Sequence, residues 1–213
     1  MAARKDFWGH HGEVDGNQVT TLRALLAPTG WLERTRAFAQ GLRKATRSPG
    51  GLLLVGTPDD EPWHLAAHLD DESRFAGIPE LAPTLIRWAP AAGAPPHLRV
   101  GLARLEAAQR GEALFVVSPE AAPVPLLERV SDARKAGAVI LALDQGDPDL
   151  EDLAHESLTV RAAADPVTFD AAQHLVSAAA GESAGGGDQP ARLRGLRNRL
   201  ARLLDTVSGP PPE

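Results

Sequence analysis

The chain contains no cysteine, no tyrosine and a single methionine. Without cysteine, disulfides and thiolate chemistry are excluded. Aromatic residues make up only 4% of the 213 positions. No apolar run approaches the roughly 20 residues of a bilayer-spanning helix. The opening MAARKDFWGHHGEVDG starts basic but lacks an apolar core, so it does not read as a secretory signal. These absences lead us to expect a cytoplasmic protein with no membrane partner.

What is present is enough for one sizeable core, or one core with a small appendage: 43% of the residues are hydrophobic. The charge is unevenly placed. Residues 191–205, ARLRGLRNRLARLLD, hold five arginines and one aspartate, a charge of +4. The whole chain carries −6, so the remainder carries −10. An acidic body with one basic appendage does not suit a nucleic-acid-binding core, and no direct nucleic-acid binding is expected.

The polar, glycine- and histidine-bearing residues 1–19 read as a mobile arm. From residue 20, Leu22, Leu25 and Leu26, then Trp31, Leu32, Phe38 and Leu42, recur at helical spacing, with Pro28 and Gly30 separating two helices. Strand and helix signals then alternate. GLLLVG (51–56), PTLIRW (83–88), EALFVVS (112–118), AVILALD (138–144) and SLTVRA (157–162) read as strands. HLAAHL (64–69), LRVGLARLEAAQR (98–110), PLLERVSDARKAG (125–137), DLEDLAHE (149–156) and DPVTFDAAQHLVSAAAG (165–181) read as helices. The last of these starts with an aspartate cap and a first-turn proline.

Nearly continuous apolar strands are buried on both faces, which means a parallel sheet between helical layers. The alternation gives an α/β fold, a three-layer α/β/α sandwich. Ligands in such sheets bind beyond the carboxyl ends of the strands, here Gly56, Trp88, Ser118 and Asp144.

Residues 182–190, ESAGGGDQP, form a linker. Beyond it, Leu193, Leu196, Leu200, Leu203, Leu204 and Val207 make one apolar stripe, with five arginines over much of the remainder, on a helix placed at 191–208. That helix needs a partner: its own domain, a sister subunit, or another protein or acidic surface.

Three stretches carry a family resemblance. LLLVGTPDDEPWHLAAHL resembles a strand, a G-N-G-G-S loop and a helix reading H-F-A-A-E-L. EALFVVSPEAAPVPLLERVSDARKAGAVILALDQGDPDLEDLAHESLTV resembles a strand, an S-T-S-G-N-S loop, a helix ending A-K-x-x-G, the next strand and a short helix. AAQHLV resembles a histidine-bearing final helix. Together, over about residues 20–180, the chain resembles the sugar isomerase (SIS) domain family, in particular its sedoheptulose-7-phosphate isomerase and DnaA initiator-associating group. The resemblance implies a five-stranded parallel sheet, an N-terminal helical hairpin, a homodimer or homotetramer, and a phosphosugar held by hydroxyls and loop amides. It also implies proton shuttling by a glutamate and a histidine, with zinc nearby in some members.

The chain departs from that pattern where the chemistry resides. In the first loop Gly56 matches, but Thr57, Pro58, Asp59 and Asp60 follow. Pro58 has no N–H to offer, and three acids meet any phosphate. Two readings of the acids are a self-capped helix, with Asp59, Asp60 and Glu61 at its positive end, and a cation site. The second loop, SPEAAP, keeps Ser118 and adds Glu120. Gly56, Thr57, Ser118 and Glu120 are the candidate ligand-binding residues. The family glutamate aligns with His68, and His174 lies on the final helix, so these two are the candidate proton-transfer residues. His64 and His68, four apart, share a helix face, and the resemblance brings His174 near. The three form a candidate zinc site, the alternative being ordinary histidines near a subunit interface.

The sequence is therefore read as an SIS-like domain (20–181) that has lost the family phosphosugar site and serves as a non-catalytic scaffold, regulatory or interaction protein, with a protein partner for helix 191–208. The alternative is an isomerase-like enzyme or sugar-derivative sensor of altered specificity, with metal at His64 and His68.

Overall fold

The computed structural model describes residues 26–161 and 164–182. Five strands form one parallel sheet in the order β2-β1-β3-β4-β5: β1 (Leu52–Val55), β2 (Pro83–Ile86), β3 (Ala113–Ser118), β4 (Val139–Asp144) and β5 (Glu156–Thr159). The register runs Leu52 to Pro83 and to Ala113 on either side of β1. Every residue of β1 and β3 is buried. A strand's side chains alternate between faces. Leu52, Leu54 and Phe115 thus enter one core, while Leu53, Val55, Leu114 and Val116 enter the other.

The first core is closed by α1 (Trp31–Ala45), α2 (Trp63–Ala76) and α6 (Phe169–Gly181), whose Trp31, Phe38, Leu42, Leu65, Leu69 and Val176 bury against it. The second is closed by α3 (Ala103–Glu106), α4 (Val124–Lys135) and α5 (Pro148–Leu153) through Leu105, Leu126, Val130 and Leu150. The architecture is the expected three-layer α/β/α sandwich with a five-stranded parallel sheet.

Several local expectations are corrected. The helix expected over 98–110 is only a 3-10 turn at Pro96–Leu98 and the single turn α3. Between them the backbone is drawn to the sheet edge: Arg87 donates its amide to Val100 O at 2.8 Å and bridges Gly101 in parallel. The final helix starts at Phe169, with Thr168 Oγ1 accepting from Ala171 N at 3.1 Å. Asp165 is not its cap, because its carboxylate accepts from Trp31 Nε1 at 2.9 Å and Arg161 N at 2.7 Å. Helix α2 follows Pro62 and has no side-chain cap, so the acids before it do not cap it as expected.

Of the expected helical hairpin, α1 matches, whereas its partner over 20–26 lies almost wholly outside the described residues. The arm 1–19, the linker 182–190 beyond Glu182 and the helix 191–208 also lie outside them. No described helix is long and apolar enough to cross a membrane.

Candidate functional site

Strand order alone selects two loops. From β1 the chain crosses to β2 on one side, then returns to β3 on the other. The loops after β1 and β3 therefore diverge at the topological switch point, where open parallel sheets bind ligands. In both loops, polar groups are bonded to other groups of the chain itself.

In the loop after β1, Thr57 is buried and its hydroxyl accepts Asp60 N at 3.2 Å. Gly56 is required: a Cβ there would overlap the Asp60 carbonyl oxygen and come within 2.6 Å of Pro62 Cδ. Its own carbonyl accepts from the Trp88 indole at 2.8 Å. Glu61 turns toward β2, accepting from Arg87 Nε at 2.5 Å, Trp88 N at 2.9 Å and Trp63 Nε1 at 3.1 Å. The Arg87 guanidinium also stacks 4.2 Å above the Trp63 ring. One of the three acids thus has its own cation and two further donors. The depression around them has a volume of ≈ 420 Å³ and is flanked by the exposed Asp59 and Asp60.

In the loop after β3, Ser118 is fully buried and its hydroxyl donates to Glu120 O at 2.6 Å. The Ala122 amide donates to Asp147 Oδ2 at 2.7 Å. The other oxygen of Asp147 accepts from Asp149 N and Leu150 N and so caps α5. A carboxylate therefore holds a loop amide and a helix N-terminus together, the two kinds of donor that bind anions in such loops. The Glu120 side chain is exposed. Beside this loop, Asp144 is inaccessible to solvent and accepts from Gly146 N at 2.6 Å and Ser157 Oγ at 2.8 Å. Burial raises its carboxyl above the usual range, more than those donors lower it.

The histidines form a separate group. His64 and His68 lie on the first two turns of α2, and His174 faces them from α6. The ligand nitrogens of all three lie within 4.8 Å of one another, the only such group among the described residues that could hold a metal. The rings are 4.5 to 4.6 Å apart between centroids. His174 is buried, and the His64 side chain is 62% exposed, so the cluster opens to solvent on one side. Asp170, one turn before His174, lies 3.9 Å from His64 Nδ1 and 3.6 Å from His174 Nε2. Its spacing of four from His174, which puts both on one helix face, is legible in the sequence.

The donor set suits zinc: three imidazoles leaving a coordination position open, with a carboxylate at hand to orient the rings. His64 and His68 Nε2 are 2.9 Å apart, a hydrogen-bond distance. A metal held by both rings would replace that contact with metal–nitrogen bonds. Among the described residues, the acids of the first loop join no such group.

No family model matches the chain, and no curated protein matches it by sequence. Solved structures do match in fold. A protein of Silicibacter pomeroyi DSS-3, provisionally described as a phosphosugar isomerase, superposes with a TM-score of 0.51 at 15% identity, covering 92% of this chain and 55% of that one. One of Salmonella typhimurium LT2, provisionally described as a sugar binding protein, superposes at 0.51 and 13% identity, covering 90% and 57%. The chain spans little more than half the length of both. At these identities the likeness is one of fold alone.

Proposed function

We propose that this is a sugar-isomerase-fold domain without the isomerase reaction, acting as a regulatory or protein-interaction unit in a homodimer or homotetramer. The observation that carries the reading is the loop after β3, where the Ser118 hydroxyl is bonded to Glu120 O and the Ala122 amide to Asp147. Phosphosugar recognition needs free hydroxyls and amides at such a loop, and a phosphate there would meet the Asp147 charge. Glu61 bound to Arg87 in the first loop supports the same reading. A thermal-shift titration with sugar phosphates tests it: the melting temperature stays constant. Saturable stabilisation accompanied by aldose–ketose interconversion contradicts it.

The histidine cluster favours a second reading, a metal-dependent sensor or an enzyme on a less anionic sugar derivative. His64, His68 and His174 would hold the metal and Asp170 would orient His64 and His174. A bound zinc would supply a Lewis acid or an activated water. Stabilisation by zinc, and by an unphosphorylated sugar only when zinc is present, distinguishes this reading from the first.

A further inference from the structure

Between α4 and α5, on the face of the sheet away from the histidines, runs a groove of ≈ 610 Å³. The half-buried Leu127 and Leu153 line it, and the exposed Glu128, Asp132, Asp149 and Asp152 edge it. Lys135 is the one lining cation, and it is paired with Asp132 at 3.0 Å. The lining therefore carries four acids against one base, an apolar strip between negative walls.

The chain contains the complement of that surface. Residues 191–207 place Leu193, Leu196, Leu200, Leu203, Leu204 and Val207 on one stripe at helical spacing, with Arg192, Arg197 and Arg199 flanking it and Arg194 and Arg202 on the far side. We propose that this arginine-rich segment docks in the α4–α5 groove, leucines against Leu127 and Leu153 and arginines against the acidic walls. The net +4 of residues 191–205 opposes the net −3 of the lining. Exposed ion pairs are individually weak and screened by salt, so the apolar stripe carries the binding and the charges fix place and direction. Nine residues, 182–190, precede the segment and give it a reach of about 30 Å. The docking does not rest on the proposed function: the groove uses the Asp149 side chain, whereas the closed loop after β3 uses only the Asp149 amide, and the histidine cluster lines no part of it.

The lack of cysteine makes the test clean. Ser131→Cys places a single thiol on the groove wall of the full chain, and Glu128→Cys places one on its rim should the first disturb folding. Each is labelled with a thiol-directed photo-crosslinker, irradiated at low salt and mapped by mass spectrometry, with circular dichroism confirming the fold. The expected adducts lie within 191–207. Their yield falls several-fold in Arg192→Glu/Arg197→Glu/Arg199→Glu and recovers when Asp149→Arg and Asp152→Arg are added. Adducts confined to 26–182, none at all from folded labelled protein, or a yield unchanged by arginine reversal overturn the proposal.

Discussion

Asp147 Oδ2 lies 2.7 Å from the amide nitrogen of Ala122, twenty-five residues earlier in the chain. One buried carboxylate thereby joins the loop after β3 to the N-terminus of α5, whose Asp149 and Leu150 amides it also accepts. From the sequence, the chain is expected to supply its own anion at the loop after β1, through Asp59, Asp60 and Glu61. The structure puts the closest counterpart of that arrangement at the loop after β3.

Removing that carboxylate costs stability. Asp147→Ala loses a helix cap and leaves the buried Ala122 amide without its acceptor, each worth about 1–2 kcal/mol. The expected loss is about 2–4 kcal/mol by urea denaturation. Asp147→Asn, which keeps one acceptor oxygen, loses about half as much.

Two glycines with crowded Cβ positions behave oppositely. At Gly56 an added methyl meets the Asp60 carbonyl and the Pro62 ring, neither of which can swing aside. At Gly41, inside α1, it meets the carboxylate of Glu156, an exposed and flexible side chain. Gly56→Ala is expected to destabilise by at least about 1–3 kcal/mol through overpacking. Gly41→Ala is expected to be neutral or up to about 1 kcal/mol stabilising, from helix propensity. Paired melting curves decide both.

Two aspartates give stability opposite pH slopes. At Asp165 burial acts to raise the carboxyl, but the Arg161 amide, the Trp31 indole and the Arg34 guanidinium outweigh it and hold it below the usual range. Its contribution is therefore full above the ordinary Asp value of about 4 and is lost as pH falls through the lower folded value. Asp165→Asn should be less stable than the parent at pH 7, the gap closing in acid. Asp144 is raised, chiefly by burial. Its cost sets in as pH rises from the ordinary value through the raised one. Asp144→Asn keeps an acceptor for Gly146 N and should equal or exceed the parent in stability at pH 7.

The histidine cluster predicts zinc-dependent stabilisation under the second reading. Zinc at a hundredfold over its dissociation constant adds about 2.7 kcal/mol, roughly 5–10 °C for a chain of this size. His64→Ala should abolish the zinc effect while leaving the metal-free melting temperature nearly unchanged, because His64 is the exposed member of the group. The effect should also fade on acidification, since protons compete for imidazole nitrogens.

The parts of the fold legible in the sequence were those set by burial on both faces. LLLV and ALFVVS read as strands because every position is apolar or small, and both are wholly buried. Helix α1 was legible because Gly30 separates it from the preceding turn and Trp31, Phe38 and Leu42 share a face. Contacts between distant segments were not legible. Residues 98–110 have helical spacing, yet their first part is held at the sheet edge by Arg87. Asp165 resembles a helix cap, yet Trp31 and Arg161 claim it. His64 and His68 could be paired from their spacing, but their meeting with His174 rested on the family resemblance, and the structure brings the three together.

The most direct test of the closed loop is the Ala122 amide resonance in a nitrogen-15-labelled sample titrated with a ketose phosphate. A phosphate seated in the loop after β3 must displace Asp147 from that N–H. The account predicts that the Ala122 cross-peak stays in place up to millimolar sugar phosphate. A saturable shift of that peak, with matching shifts at Asp149 and Leu150, would show an open phosphosugar site and contradict the account.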